Sequence, residues 1–392
     1  MSNLVNSKIL IVDDAPENID ILSDVLKDFK CVAALTGEKA IKIAGSANQP
    51  DLILLDIMMP GMDGFEVCQR LKLDPKTAQI PIIFITGRTD VEDETKGLDI
   101  GAVDFIPKPI SAPVVLARVR NHLELSHSRK VLEEQNIALG IHNKFMTDSI
   151  NYAKRIQTAI IPGEPEVNRL FPDSFLIFQP KDIVSGDFFW CGEVSSKKIF
   201  AVVDCTGHGV PGAFMSLIGN TLLNDIILQS KRLDPSDILN ELDERVSSEL
   251  NKDKVEGTFD GMDISLCVFD ELEKSVKFAG AYRPLLYMQN NELIEIKGDK
   301  KSIGDNRREI SYIDHQVIWN SGTTFYMFSD GFIDQNNSAE LKLGTRKLKE
   351  LLINCSNYDM NKQKEILMDT FLQHKNSEPQ RDDVTFIGIR MN

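Results

Sequence analysis

The chain has 392 residues, 42% of them hydrophobic, which is ample for two or three domains and excludes a small scaffold held by staples. A formal net charge of −15, with no Lys/Arg stripe or zinc-finger spacing to offset it, excludes nucleic acid as an expected partner. The start MSNLVNSKILIVDD lacks a basic, long apolar leader, and no apolar run approaches the ~20 residues of a spanning helix. No membrane partner is expected. Cys31, Cys68, Cys191, Cys205, Cys267 and Cys355 are scattered singly without a CxxC pair, as in small buried apolar residues of a reducing compartment, so a cytoplasmic protein is expected.

Residues 8–125 alternate short apolar runs with amphipathic segments, the pattern of β/α units around a parallel sheet. Strands are predicted at 8–12, 32–35, 51–56, 81–86 and 104–108, and helical spacing falls in PENIDILSDVLKDF, GEKAIKIAGSA, GFEVCQRLK and VEDETKGLDIG. Residues 1–125 are therefore expected to form an α/β domain with a doubly wound, five-stranded parallel sheet. Such sheets bind ligands at the carboxyl ends of their strands. Asp13, Asp14, Asp56, Thr86 and Lys108 all fall at those ends.

From Ser111 the pattern stays helical, with Gly140 its one weak point, until Pro162 and Gly163 stop it. Residues 126–163 read as a helical linker. Leu125, Leu132, Leu139, Met146, Ala153 and Ile160 recur at intervals of seven, one seam of a coiled coil. Asn136, Asn143 and Gln157 spoil the companion seam, so a dimeric coiled coil and an amphipathic helix packed on its own domains both remain open. Residues 164–392 bring strand-rich runs (SFLIFQP, KIFAVVDC, DISLCVFD, KSVKFAGAY, PLLYMQ, TTFYMFSD, VTFIGIR) broken by helical stretches at 212–230, 236–251 and 345–374. Strands and helices in separate groups predict an α+β layered domain, a β-sandwich flanked by helices. The polar stretch DKKSIGDNRRE reads as a surface loop. Asp187, Asp204, Asp330 and Asp382 form a second acidic set, and carboxylates with few histidines suit hard cations such as Mg²⁺ or Mn²⁺.

The succession VDDAPEN, LLDIMMPGMDG, FITG and DFIPKP resembles the receiver domain of two-component response regulators. The resemblance implies that Asp56 accepts a phosphoryl group from a histidine kinase while Asp13, Asp14 and Asp56 hold Mg²⁺ with the Met58 carbonyl. A carboxylate attacks a phosphoryl donor only if cations neutralise its oxygens, and Mg²⁺ with Lys108 would do so. Thr86 would then move to the new phosphoryl oxygen and Phe105 would swing inward with it. Met58 and Arg88 occupy the positions that tune acyl-phosphate lifetime in that family. A thioether cannot orient an attacking water, so slow self-dephosphorylation is expected.

The succession INYAKRIQTAIIP, FQPKDIVSGDFFW, VVDCTGHGVPGAFMS, GMDISLC, FAGAYRPLLY, FSDGFID and RDDVTF resembles the SpoIIE-like (RsbU-like) branch of metal-dependent protein serine/threonine phosphatases. That resemblance implies two Mn²⁺ or Mg²⁺ ions: Asp204 bridging, Asp187 and the Cys205 carbonyl on one, Asp330 and Asp382 on the other. Water then attacks phosphorus in line, with no covalent enzyme intermediate. Asp383 is a candidate to support the ligands without touching a cation, Asp334 is open between ligand and support, and His208 between support and a structural histidine at a helix start. Asp260 and Asp263 are candidates for a third, weaker cation or for loop capping. The phosphate-gripping arginine of the better-known branch has no obvious counterpart, which leaves Lys181 as a candidate. The expected protein is a response regulator with a phosphoserine/phosphothreonine phosphatase output, acting on a STAS-type anti-sigma-factor antagonist in a partner-switching pathway and dimerising through its linker helix. The competing expectation is an adaptor that binds a phosphoprotein without cleaving it.

Overall fold

A computed structural model describes residues 4, 6–87, 91–250, 260–305, 307 and 310–392. The chain forms two compact units, Met1–Asn143 and Lys144–Asn392.

In the first unit, strands β1 (Lys8–Val12), β2 (Lys30–Ala34), β3 (Leu52–Asp56), β4 (Ile82–Thr86) and β5 (Asp104–Pro107) form one sheet in the order β2-β1-β3-β4-β5. Every pairing is parallel. Helices α1 (Pro16–Val25), α2 (Gly37–Ala44), α3 (Gly64–Leu73) and α4 (Val91–Ile100) connect the strands. Leu10, Val12, Ile53, Leu55, Ile82 and Phe84 face one core, and Ile9, Ile11, Leu52, Leu54, Ile83 and Ile85 the other. Alternate residues thus serve opposite faces, and a sheet covered on both faces needs the unbroken apolar runs of the sequence.

Helix α5 runs without interruption from Ala112 to Ile160, 49 residues, so neither Gly140 nor the expected boundary at 125/126 breaks it. Its first turns bury Val115, Val119 and Leu123 against the second face of the parallel sheet. Leu125, Leu132, Leu139, Met146 and Ile160 of the seven-residue seam are exposed, whereas Gln157 is buried. Among the described residues, no helix is long and apolar enough to cross a membrane.

The second unit continues with α6 (Glu164–Leu170), β6 (Ser174–Gln179), β7 (Phe188–Val194), β8 (Lys197–Cys205), α7 (Gly209–Asn224), a π-helical turn (Asp225–Gln229) and α8 (Pro235–Leu250). Then come β9 (Met262–Asp270), β10 (Ser275–Ala281), β11 (Leu285–Gln289), β12 (Glu292–Ile296), β13 (His315–Ile318), β14 (Thr324–Phe328), α9 (Gly331–Asp334), α10 (Gly344–Cys355), α11 (Met360–Lys375) and β15 (Val384–Arg390). They build two five-stranded sheets, β13-β10-β9-β8-β7 and β12-β11-β14-β15-β6. Between the sheets lie Phe189, Phe200, Phe269, Tyr287, Phe325 and Ile387. Outward residues of β8 and β9 pack with Leu223, Ile238 and Leu242 of α7 and α8, and Phe328 and Phe386 pack with Leu348, Leu367 and Phe371 of α10 and α11. The result is the expected sandwich with helices on both outer faces.

Three local expectations need correction. The helical stretch 345–374 is two helices, α10 and α11, because the turn after Cys355 ends one and Asp359 caps the next by accepting the Lys362 N–H. Strands β7, β12 and β13 lie outside the predicted runs. The stretch DKKSIGDNRRE is not simply surface: Ile303 bridges Met262 and is fully buried, and Lys301 is buried against Asp243, Nζ to Oδ2 2.6 Å. A lysine and an aspartate that satisfy each other can enter a core that neither enters alone.

Candidate metal centres

In the parallel-sheet unit, β1 ends immediately before Asp13 and β3 ends on Asp56, so two neighbouring strands deliver two buried carboxylates, while Asp14 is exposed. Their ligand oxygens, with one from Asp14, all lie within 4.8 Å of one another; among the described residues no other such group of three exists. Lys108 follows β5 and reaches back with Nζ 3.0 Å from Asp56 Oδ1 and 3.2 Å from Asp13 Oδ2. Burial opposes its charge, but the hydrogen bonds and charges of Asp56 and Asp13 outweigh this and raise its pKa. Burial in turn raises the Asp56 pKa, against the pull of Lys108. Three oxygen-bearing acids crowded beside a single lysine fit a hard cation such as Mg²⁺.

The surroundings fix this geometry. Asn18, which sequence reasoning did not single out, donates its Nδ2 to both Asp13 oxygens at 2.9 Å, and the Ala15 N–H donates to Asp13 Oδ1. A Cβ on Gly64 would lie 2.3 Å from the Asp56 carbonyl oxygen, so only glycine lets α3 start this close to the acceptor. Asp63 caps that helix by accepting the Glu66 N–H. Thr86 ends β4 and is buried. Phe105 is also buried, stacked on Phe84 with ring centroids 5.6 Å apart, in the space left by Gly97. The Met58 side chain is exposed, and Arg88 lies outside the described residues.

In the sandwich unit, the second acidic set gathers from both sheets. Asp187 precedes β7 and Asp204 lies near the end of β8, whereas Asp330 follows β14 and Asp382 precedes β15. The Asp330 N–H points to Asp204 Oδ2 at 3.4 Å. Asp187 is buried with its Oδ2 lacking any hydrogen-bond partner, and burial together with the Asp204 charge holds its carboxyl well above the usual range. Burial likewise pushes Asp204 up to about 7; Arg283 opposes the rise, and Asp330 and Asp263 add to it. Burial also raises Asp382 and Asp263. Crowded acids with an orphaned buried oxygen fit divalent cations, which would relieve all of these penalties together.

The supporting groups divide. Asp383 accepts the Lys181 N–H with Oδ1 and the Gly186 N–H with Oδ2, both at 2.7 Å, so it pins the loop that carries Asp187. The Asp204 loop lies against that same loop, since a Cβ on Gly186 would come within 2.4 Å of the Gly207 carbonyl oxygen. Gln157 of α5 grips it from the other side: its Nε2 donates to the Ser185 carbonyl at 2.7 Å and to Ser216 Oγ at 2.8 Å, and its Oε1 accepts the Ser185 N–H at 3.2 Å. His208 sits at the N-cap of α7 and meets Asp182 through Nδ1 at 2.8 Å. Asp334 pairs with Lys342, while its N–H donates to the Asp330 carbonyl. Cys205 pairs in register with Met262 and is buried, and Asp263 accepts the Ser302 hydroxyl at 2.6 Å.

Sequence reasoning missed Arg283. Its Nη2 lies 2.8 Å from Asp204 Oδ2, 2.7 Å from Asp330 Oδ2 and 3.2 Å from Asp263 Oδ2. The signal was a lone charge inside the apolar run FAGAYRPLLY, directly before a proline that cannot continue a ladder.

A parallel α/β unit with carboxylates at its strand ends and a layered β-sandwich with a shared acidic centre define a phosphoryl-handling pair of domains. Residues 195–392 match the family model for stage II sporulation protein E (SpoIIE), and residues 9–120 match the response regulator receiver domain. The chain belongs to the SpoIIE family and carries a receiver domain fused to a SpoIIE-like phosphatase domain. Among solved structures it is similar to the SiaA-PP2C domain of Pseudomonas aeruginosa, at 31% identity over 64% of this chain and 99% of that domain, with a TM-score of 0.59. Curated relatives include a probable cyclic di-GMP phosphodiesterase of Vibrio cholerae, 44% identical over 35% of this chain and 31% of that protein. Another is the response regulator PleD of Caulobacter vibrioides, 41% identical over 33% of this chain and 28% of that protein. The chain thus spans less than a third of the length of these two relatives.

Proposed function

We propose that this protein is a response regulator whose output is a metal-dependent phosphoserine/phosphothreonine protein phosphatase. The observation that carries the reading is the run of charge interactions that links Asp187 to Asp204 on one sheet, Asp204 to Asp330 on the other, and Asp330 to Asp382, in a chain of the SpoIIE family. When bound, two Mn²⁺ or Mg²⁺ ions would supply Lewis acidity and activate water for attack on phosphorus. Asp187, Asp204, Asp330 and Asp382, with the Cys205 carbonyl, would hold them. Asp383 fixes the backbone around Asp187 by holding the Lys181 and Gly186 amides. Asp187 is buried and Asp204 is partly buried, which strengthens the charge interactions between them.

In the receiver, Asp56 is the proposed acceptor of phosphoryl from a histidine kinase, with Mg²⁺ on Asp13, Asp14, Asp56 and the Met58 carbonyl. Lys108 would balance charge on the incoming oxygens, and Thr86 and Phe105 are the proposed responders. The link to the output is α5, whose first turns pack on the receiver sheet and whose Gln157 holds the loop before Asp187. Phosphorylation of Asp56 would act by changing how this helix holds that loop. The exposed seam Leu125, Leu132, Leu139 and Met146 supports a homodimer through the same helix. For a substrate we propose a phosphorylated STAS-type protein in a partner-switching pathway.

The test is mass-spectrometric detection of phosphate loss from phosphorylated STAS candidates with Mn²⁺. Metal-dependent loss that vanishes in Asp204→Ala supports the phosphatase; stable binding without loss would establish the adaptor instead.

A further inference from the structure

The Arg283 guanidinium is used in an unusual way. Interior arginines normally engage carboxylates through the fork, sharing two or more nitrogens among them. Here one nitrogen, Nη2, meets Asp204, Asp330 and Asp263 at 2.8, 2.7 and 3.2 Å, while Nε is buried with no hydrogen-bond partner. The side chain behaves as a point cation set where three carboxylate oxygens converge. Two of those oxygens belong to acids already assigned as metal ligands.

The backbone is shaped to deliver it. Tyr282 adopts a left-handed φ of 58°, a costly conformation for a bulky aromatic, and the turn is held by Tyr282 N–H to the Asp299 carbonyl at 2.8 Å. Cβ atoms on Gly280 and Gly298 would lie 2.3 and 2.7 Å from the Arg283 carbonyl oxygen, so both glycines are required for the chain to turn here. A charge that only decorated the surface would need none of this.

We propose that Arg283 is an exchangeable counter-ion: its guanidinium holds Asp204, Asp263 and Asp330 together until divalent cations take the same oxygens, so competition with this side chain sets the metal affinity of the site. The inference rests on the reading of Asp204 and Asp330 as metal ligands. A monovalent, tethered cation loses to a divalent ion at the carboxylates but weakens its net binding, because the arginine contacts must be given up first.

Calorimetric titration of the full chain with Mn²⁺ tests this, comparing wild type with Arg283→Gln and using Asp204→Asn to identify the catalytic component of the isotherm. The receiver site serves as an internal reference. Arg283→Gln is expected to bind Mn²⁺ about tenfold tighter at the Asp204-dependent site, a change of about 1.4 kcal/mol. Its unfolding midpoint should fall below wild type in EDTA and return to it with Mn²⁺. Equal or weaker Mn²⁺ binding by Arg283→Gln overturns the inference and leaves the metal-ligand reading standing; no Asp204-dependent uptake by wild type overturns both. Should Arg283→Gln not fold, ¹⁵N-arginine spectra of wild type titrated with Mg²⁺ decide the matter, with Arg283→Lys identifying the signal. The Arg283 signal is expected to shift with the midpoint of metal uptake, and an unmoved signal at saturation overturns the proposal.

Discussion

In the receiver the acidic residues hang from neighbouring strands of a single sheet, whereas in the catalytic unit Asp187 and Asp204 come from one sheet and Asp330 and Asp382 from the other. The first arrangement closes to within 4.8 Å at the ends of adjacent strands, with Lys108 alongside its carboxylates and Asn18 holding Asp13. The second depends on loops held by Asp383 and Gln157, and a largely buried guanidinium sits among its acids. A site within one sheet is built as soon as the sheet folds. A site divided between layers responds to whatever holds its loops, so it is the one an external helix can control.

The largest expected effects come from removing a central acid of either site. Asp56→Ala should abolish phosphoryl uptake from a small phosphodonor, read as loss of the phosphorylated species by intact-mass measurement. Asp204→Ala should lower phosphatase turnover by about 10³-fold, as loss of a principal electrostatic partner does, while receiver phosphorylation persists. If Asp204→Ala erased receiver phosphorylation as well, the assignment of separate chemistry to the two sites would fail.

Next come the glycines that let each site close. Gly64→Ala would drive a Cβ to 2.3 Å from the Asp56 carbonyl oxygen, and Gly331→Ala to 1.9 Å from that of Asp383. Each should cost about 1–3 kcal/mol of stability in its own unit, measured by denaturant unfolding, because neither neighbour is a flexible side chain that can move aside. A smaller and more selective effect is expected of Gln157→Leu, which leaves the buried Ser185 N–H unpaired at about 1–3 kcal/mol. Mn²⁺ affinity of the catalytic site should fall by about tenfold while Mg²⁺ affinity of the receiver stays as in wild type; equal losses at both sites would point to general destabilisation. The smallest effect is expected of Leu132→Lys with Leu139→Lys on the exposed seam, which should reduce self-association in sedimentation experiments and leave folding intact.

Much of this comparison was written in the sequence, and the exceptions have physical causes. The parallel sheet was legible because its strands are apolar on both faces and its polar residues fall at strand ends. The sandwich was legible from its longer runs, yet β12 was not, since Glu292 and Glu295 interrupt its apolar pattern on a half-buried edge. The 299–309 stretch read as surface because Lys301 and Asp243 enter the core only as a pair, and the partner is 58 residues away in the chain. Asn18 and Arg283 escaped for a related reason: their roles come from which carboxylates they meet, and no local periodicity encodes that. For Arg283 the strand ends at Ala281 and Tyr282 turns left-handed, so strand alternation assigns the side chain no direction.

The central claim is that phosphorylation of Asp56 controls the distant acidic centre through α5. It is tested most directly by measuring phosphatase rate with saturating Mn²⁺ for wild type and Asp56→Ala, each with and without a small phosphodonor. The account predicts that the donor changes the wild-type rate and leaves Asp56→Ala unchanged; the same rate in all four conditions would contradict it.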